Sequence, residues 1–433
     1  MKKNGFTLVE ITVCVVLLVT IFLLVVPKVN TMINNKKKNA YNSLISTVKD
    51  AAQAYVYLNV NIVDDAIESQ GYYEVSIRTL QENELLENKL ENPLTGKNIP
   101  STSIVKIIKN NEEYIYKFSL DYQYLLEHII DLYSSEETRI SNGLKKDNTP
   151  DQNIRYYGSN PNNYVSFNNE LWKIIGVFGN NVKLVRSEKL GNLSWDSSES
   201  SINGGVGINQ WGESKDADGN EYAGADLQVY LNKMYYGGTS VTCYGGTKNS
   251  TTTCPTNTLD NTAKALIDNH TWNTGAPNHS TLYNSTTQSY DTVEFYKAER
   301  GTVNGKICSS GTYCNDTVTR TTEWTGYIGL PYVTDWAYAS SENDCNTKID
   351  RSSTYKCKNN NWMHRSTSTW YMSPYAIPYN ATSVWYVYGD GSSGLSLAAD
   401  ALSAFPTIYL KSNVLIESGN GTSSSPYILK AGL

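Results

Sequence analysis

An apolar run of membrane length begins close to the N-terminus of this 433-residue chain. It extends from Phe6 to Val26, and Glu10 is the only charged residue within it. At about 1.5 Å of rise per residue, a helix of this length covers the roughly 30 Å of a bilayer core. An acidic side chain at mid-membrane costs about 3 kcal/mol, and less near the interface, so Glu10 requires a functional explanation.

The residues that flank this run separate a processed leader from an ordinary secretory signal. Lys2 and Lys3 precede a Gly5-Phe6 junction at the start of the run, and Pro27 follows its end. A secretory signal carries a small-residue cleavage site after its apolar core, and no Ala or Gly stands at that place here. A plain membrane anchor is the alternative interpretation.

Together with the two leading lysines, Gly5, Phe6, Glu10 and Pro27 stand in a register that resembles the leader of a type IV prepilin of the Gram-positive type. The resemblance implies that a prepilin peptidase cuts between Gly5 and Phe6 and that Phe6 is then N-methylated. It implies that Glu10 and Pro27 serve filament assembly and that the partners are other pilin subunits. It also implies a single-pass cell-membrane protein that later enters an extracellular filament on the cell surface.

Periodicity divides the following residues into a helix and a small head. Apolar residues three or four apart continue the helical pattern, so we expect one spine helix over residues 6–59. Residues 60–133 are expected to form a small pilin head, with strands at Ile104–Ile108 and Tyr114–Phe118. Residues 134–153 are polar and charged, which is typical of a linker.

The composition changes from about residue 154 onwards, and all nine tryptophans lie between Trp172 and Trp385. Long loops separate short candidate strands such as Leu171–Phe178 and Val182–Arg186. The stretches around Leu171–Gly176 and Pro406–Ser412 resemble an uncharacterised extracellular domain of Gram-positive surface proteins. Its organisation is similar to the C-type-lectin-like and formylglycine-generating-enzyme group.

The expected fold class is α+β, with a long N-terminal pilin helix and a small β head followed by a loop-rich, disulfide-stapled, C-type-lectin-like domain. The expected segments are a leader (1–5), a spine helix (6–59, of which 6–26 span the membrane before assembly), a head (60–133), a linker (134–153) and the lectin-like domain (154–433).

Six of the seven cysteines are near neighbours in the C-terminal region: Cys243 with Cys254, Cys308 with Cys314, and Cys345 with Cys357. Six cysteines allow about 15 pairings, and three local pairs are the simplest because short loops close at little entropic cost. An even count in an extracellular segment predicts disulfides. The tight spacing of zinc sites is absent, so no metal site is expected from the cysteines.

One segment offers the beginning of a calcium loop. Asp216, Asp218 and Asn220 place oxygen-bearing side chains at alternating positions, but the distal glutamate of such a loop is missing. The Asp-Gly-Asn sequence is also typical of a plain turn. Hydrolase, metalloprotease and phosphate-loop motifs do not occur. We therefore expect no enzymatic activity and no cofactor, with calcium as the open alternative.

The remaining candidates for ligand binding are aromatic. Trp362, Trp370 and Trp385 could stack on a surface glycan or anchor a protein ligand, and burial in the core is the alternative. The formal charge of −6 disfavours broad nucleic-acid binding, so no nucleic-acid partner is expected.

These observations predict a minor type IV pilin subunit, with the filament tip as one location, whose C-terminal domain is displayed for adhesion. The alternative is a pseudopilin of a secretion or DNA-uptake filament, in which the C-terminal domain is a structural cap.

Overall fold

A computed structural model of the chain describes residues 36, 39–93, 98–110, 113–118, 123–197, 210–215, 221–303, 306–307, 321–351, 356–376 and 382–432. The chain divides into two compact units. The first ends at Tyr122 and the second covers Gln123–Gly432, and each has its own hydrophobic core.

The first unit packs helices against a three-stranded antiparallel sheet. Its elements are α1 (39–58), α2 (Val60–Gln70), β1 (Tyr73–Ser76), α3 (Ile77–Glu82), β2 (Ile104–Asn110) and β3 (Glu113–Lys117). The strand order is β1-β2-β3. Val48, Ala52 and Val56 recur every four residues on α1, and Val105 and Ile107 alternate along β2, and all five are buried. These two periods are those of one helix face and one sheet face, so the pattern defines the core.

The second unit contains short helices and many strands. Its helices are α4 (Leu125–Ser134), α5 (Glu136–Asn142), α6 (Asp226–Val229), which continues as a π-helix (Tyr230–Tyr236), α7 (Asn261–Leu266), α8 (His279–Leu282), α9 (Thr292–Glu299) and α10 (Val333–Tyr338), with 3-10 turns at Asn343–Asn346 and Lys356–Lys358. Its strands are β4 (Gln123–Tyr124), β5 (Leu144–Lys146), β6 (Ile154–Tyr156), β7 (Tyr164–Phe167), β8 (Glu170–Phe178), β9 (Asn181–Arg186), β10 (Gly191–Leu193), β11 (Ser214–Lys215), β12 (Glu221–Tyr222), β13 (Cys243–Tyr244), β14 (Thr251–Thr252), β15 (His270–Asn273), β16 (Tyr283–Asn284), β17 (Ser289–Asp291), β18 (Thr302–Val303), β19 (Lys306–Ile307), β20 (Glu323–Gly326), β21 (Ile328–Gly329), β22 (Lys348–Asp350), β23 (Thr369–Pro374), β24 (Ser383–Val387), β25 (Ser393–Leu397), β26 (Leu402–Ala404), β27 (Thr407–Leu410), β28 (Leu415–Ser418) and β29 (Tyr427–Lys430).

A ten-stranded sheet forms the centre of the second unit. Its main path runs β21-β27-β9-β8-β7-β29-β28-β4, and β6 joins it by pairing with both β8 and β5. Gly176 of β8 permits that branch, because a Cβ atom at this position would collide with the carbonyl oxygen of Ile154 in β6. The register of β8 against β9 also shifts between Ile174 and Gly176. The branch places β6, which carries the buried Arg155, and β5, which is followed by the buried Asp147, against the central sheet.

A second sheet and a small three-stranded sheet complete the framework. The second has the order β10-β26-β23-β24-β25, and every residue of β23 and β24 is buried. The small sheet has the order β16-β17-β22 and is antiparallel throughout. It lies in the half of the chain that sequence analysis predicted to be rich in loops.

The predicted fold class is wrong. The structure shows a mixed α/β arrangement with many short strands, and no long N-terminal pilin helix is seen among the described residues. The described helical residues before β1 are interrupted at Asn59, whose φ of −129° and ψ of 30° are not helical. Of the predicted spine helix, residues 6–35 lie outside the described residues. Within the described ranges, no helix is both long enough and apolar enough to cross a bilayer.

The segment 134–153 is not a linker. It contains α5 and β5, and its residues Asp147, Thr149 and Asn153 are buried in the second unit. The division of the chain falls after Tyr122, so α4, which was predicted to belong to the small head, belongs to the second unit. The physical reason is that the polar residues of this segment find partners inside the fold, which their composition alone does not reveal.

Candidate functional site

The three tryptophans proposed as ligand contacts are buried. Trp362 is 4% exposed, and Trp370 and Trp385 are 0% exposed. Each indole N–H donates to a backbone carbonyl in the interior, namely those of Tyr156, Leu193 and Pro277. A ring fixed in this way cannot stack on an external ligand, so these three residues are core residues.

The cysteines form local pairs where the structure describes them. Cys243 is disulfide-bonded to Cys254, and Cys345 to Cys357. Cys345 and Cys357 are fully buried and lie within the two 3-10 turns, so this bridge links the two turns inside the core of the second unit.

Several predicted site residues lie outside the described residues. These are Gly5, Phe6, Glu10 and Pro27 of the leader region, the cysteines Cys308 and Cys314, and the calcium candidates Asp216, Asp218 and Asn220. Among the residues that the structure does describe, no group of three or more His, Cys, Asp or Glu side chains is placed to hold a metal ion.

A buried ionic cluster lies between the central sheet and α10. The Arg155 guanidinium donates from Nε to Asp147 Oδ2 at 2.8 Å and from Nη1 to Asp335 Oδ1 at 2.6 Å. Lys183 Nζ donates to Asp335 Oδ2, also at 2.6 Å. The four side chains are each at most 1% exposed. The cluster therefore joins the residue that follows β5 to β6, β9 and α10 by buried charge pairs.

The charges within the cluster balance in pairs. Burial opposes ionisation of Asp335, but Lys183 and Arg155 hold its pKa below the usual value. Burial lowers the pKa of Lys183 to about 8, against the opposing effect of Asp335. Both groups are therefore charged at neutral pH. Because side chains with such low exposure are out of reach of a substrate, we interpret the cluster as a structural element and not as a catalytic centre.

Glu299 is a further buried acid beside this cluster. It ends α9, is fully buried, and accepts hydrogen bonds from the backbone N–H and the hydroxyl of Thr334. Burial raises the pKa of Glu299 to about 7, and the nearby Arg300 only partly opposes this effect. Glu299 therefore changes its charge in the neutral pH range.

A candidate binding site in the second unit is a polar cleft of about 600 Å³. We call it the hairpin cleft, because β16, β17 and the turn between them form one wall, and β22 and the start of α9 lie beside it. Most of its lining side chains carry hydroxyl, amide or charged groups: Thr281, Asn284, Ser285, Thr287, Ser289, Asp291, Glu294, Thr347 and Lys348. Leu282 and Tyr283 supply its apolar surface.

Local hydrogen bonds hold the cleft walls in place. The Asn284 side-chain oxygen accepts the backbone N–H groups of Thr286 and Thr287, which fixes the turn after β16. Asp291 Oδ1 accepts the backbone N–H of Glu294 and caps α9. The Tyr283 ring packs against His279, with ring centroids 4.5 Å apart. Fixed walls of this kind lower the entropic cost of binding a ligand.

The chemistry of the cleft suits a neutral polyhydroxylated ligand. Hydroxyl and amide groups both donate and accept hydrogen bonds, as the hydroxyl groups of a saccharide do. Glu294 is neutralised locally by Lys297, whose Nζ lies 2.7 Å from Glu294 Oε1. The cleft is therefore polar without a strong excess of one charge near α9.

Sequence reasoning missed the hairpin cleft. Most of its residues come from the polar run 281–291, which has no apolar period and no catalytic motif. The signal that could have identified it is the density of Asn, Ser, Thr and Gln between two tyrosines, Tyr283 and Tyr290. Tyr290 is buried and anchors the hairpin, whereas Tyr283 is partly exposed.

In comparisons with known proteins, the chain matches no family model, no curated protein and no solved structure.

Proposed function

We propose that this protein is a minor pilin-like subunit that is held in the cell membrane before assembly and then displayed on the cell surface. The observation that carries the proposal is the register of Gly5, Phe6 and Glu10 after two lysines and at the start of an apolar run. A carboxylate in an apolar segment of membrane length needs a partner, and a neighbouring subunit would supply one.

Two features of the second unit support an extracellular location. It holds the disulfides Cys243–Cys254 and Cys345–Cys357, and disulfides persist in oxidising compartments. It also has a core of its own, separate from that of the first unit. A unit of this kind suits display away from the membrane.

We further propose that the displayed unit binds a saccharide in the hairpin cleft and so serves adhesion. The support is the cleft's polar lining together with the partly exposed ring of Tyr283. Hydrogen-bonding groups beside one aromatic surface are the chemistry that recognises a sugar ring.

The test fills the cleft without disturbing the fold. Ser285→Trp places a large side chain at an exposed position that lines the cleft, and Thr286→Trp places the same side chain at the adjacent exposed position, which does not line it. The full-length chain should bind a subset of a glycan array, and Ser285→Trp should lose this binding while Thr286→Trp retains it. Equal binding by both variants would exclude the cleft, and no binding to any glycan would favour a structural cap.

A further inference from the structure

Two cations of the second unit both lie next to Trp362. Lys173 is on β8, and its Nζ lies 4.3 Å from the ring centroid of Tyr164, the residue opposite it on β7. The same Nζ lies 5.6 Å from the ring centroid of Trp362. Arg365 donates from Nη1 to the backbone carbonyl of Trp362 at 3.2 Å and faces the ring of Phe405. We call Lys173 and Arg365 the cation pair.

Within the described part of the chain, neither member of the cation pair forms an ion pair with a carboxylate. Four other buried or partly buried cations of this unit do have such partners: Arg155 with Asp147 and Asp335, Lys183 with Asp335, Arg186 with Glu170, and Arg300 with Asp151. Unlike these four cations, Lys173 and Arg365 have no carboxylate of a described residue beside them that neutralises their charge.

The lack of an anion destabilises the charged form of both groups. Burial lowers the pKa of Lys173 to about 8, and the positive charge of Arg365 lowers it further in the same direction. Burial also lowers the pKa of Arg365, and Tyr371 and the exposed Glu188 oppose this effect only in part. An anion between the two cations would relieve both effects.

We propose that Lys173 and Arg365 form a binding site for an oxyanion, the carboxylate or sulfate group of an acidic polysaccharide. Among the described residues, Arg365 uses one N–H group for Trp362 and has no other hydrogen-bond partner, so its planar guanidinium can still donate to an oxyanion. Lys173 adds a second charge, and both side chains are partly exposed. The site is separate from the hairpin cleft and does not depend on saccharide binding there.

The structure also favours a polymer over a free ion. Two partly exposed cations bind a single small anion weakly, because water screens each charge. A polysaccharide carries one acidic group per sugar or disaccharide, so a neighbouring acidic group of the same chain can rebind when one dissociates. This multivalency raises the apparent affinity. Tyr164, half-buried beside Lys173, offers ring surface to the adjacent sugar.

The test uses the full-length chain in mild detergent and three probes: oligogalacturonate, a heparin-derived oligosaccharide and an oligomer of glycerol phosphate. Titration calorimetry at about 50 and about 200 mM salt gives the affinities, and binding should weaken at the higher salt concentration. Lys173→Gln should weaken binding of the carboxylated or sulfated probe roughly tenfold, because it removes one charge-assisted contact.

Lys264→Gln is the matched control, because Lys264 Nζ also lies over a tyrosine ring, that of Tyr236 at 5.7 Å. The Lys264→Gln variant should bind the probes as tightly as the unmodified chain does. Ser285→Trp should do so as well, because it fills the hairpin cleft and not the site of the cation pair. Arg365→Lys keeps the charge but loses the planar donors, so it should bind the carboxylated probe less tightly. Lys173 is partly exposed, so the fold should tolerate Lys173→Gln. This variant therefore tests the site even if Arg365→Lys does not fold.

Equal affinities of Lys173→Gln and Lys264→Gln for every probe would overturn the site. Binding of none of the three probes by the unmodified chain would overturn it as well. Tighter binding of the glycerol phosphate oligomer than of either polysaccharide would refute the acidic polysaccharide as the source of the anion.

Discussion

Replacing Asp335 by Asn tests the buried ionic cluster at its centre. Asp335 receives a guanidinium N–H of Arg155 on one oxygen and the ammonium of Lys183 on the other, both at 2.6 Å. Asn has the same shape but no charge, so Lys183 would lose its carboxylate partner in a fully buried site. Breaking a buried ion pair by removing one partner costs about 3–5 kcal/mol, because the remaining charge stays desolvated.

The expected loss is large enough to measure by two methods. In a domain of this size, each kcal/mol shifts the melting temperature by about 2–4 °C, so Asp335→Asn should melt roughly 10 °C lower. Urea denaturation should show a lower midpoint with an unchanged slope, since the surface exposed on unfolding is the same. Lys183→Met should lose less stability, because Asp335 then keeps Arg155 and an apolar side chain fills the site.

Asp344→Asn is the control, because Asp344 pairs with Lys356 at 3.0 Å on the surface, where the side chains are 64% and 54% exposed. The loss of stability in Asp344→Asn should be within experimental error, since exposed ion pairs contribute little to the free energy of unfolding. If Asp335→Asn melts within about 2 °C of the unmodified chain, the cluster does not stabilise the fold as argued.

Three further predictions concern the second unit. Glu299 has a pKa raised from 4.5 to about 7, so the stability it contributes is complete below pH 4.5 and is lost as the pH rises through 7. Gln cannot ionise, so when the pH is raised from about 5 to about 8 the free energy of unfolding of Glu299→Gln should fall less than that of the unmodified chain. Urea denaturation at both pH values measures this fall, and equal falls for the two chains would contradict the raised pKa of Glu299. Cys345→Ser should destabilise the unit by about 3 kcal/mol, seen as a lower urea midpoint, and an unchanged midpoint would show that the bridge contributes nothing. Trp362→Ala should cost about 3–5 kcal/mol as a core substitution, and a variant with unchanged melting would place the ring outside the core.

Elements defined by local patterns were predictable. The strands expected at Leu171–Phe178 and Val182–Arg186 correspond to Glu170–Phe178 and Asn181–Arg186, and these form an antiparallel pair. Their apolar residues are continuous and Gly179-Asn180 lies between them, so both strand character and turn are encoded within a short stretch.

Features that depend on distant partners were not predictable. Asp147 belongs to a polar stretch, yet it is buried because Arg155 neutralises it, and Arg155 in turn contacts Asp335 farther along the chain. Local sequence does not show whether such a charge is solvated or paired. The burial of Trp362 has the same origin, because its indole N–H reaches the carbonyl of Tyr156.

The two candidate sites also depend on contacts between segments that are distant in the sequence. The hairpin cleft needs β22 to lie beside the β16–β17 hairpin, which is a pairing of Lys348–Asp350 with Ser289–Asp291. The cation pair needs the segment of Arg365 to lie beside β8. Neither contact leaves a periodic signal in a single sequence.

The mature N-terminus of the protein on the cell surface tests the central proposal most directly. Filaments sheared from the producing cells would be digested and the N-terminal peptide identified by tandem mass spectrometry. The proposal predicts a peptide that begins at Phe6 and carries an N-methyl group, with Glu10 retained. A surface protein that begins at Met1, or beyond Lys28, would contradict it.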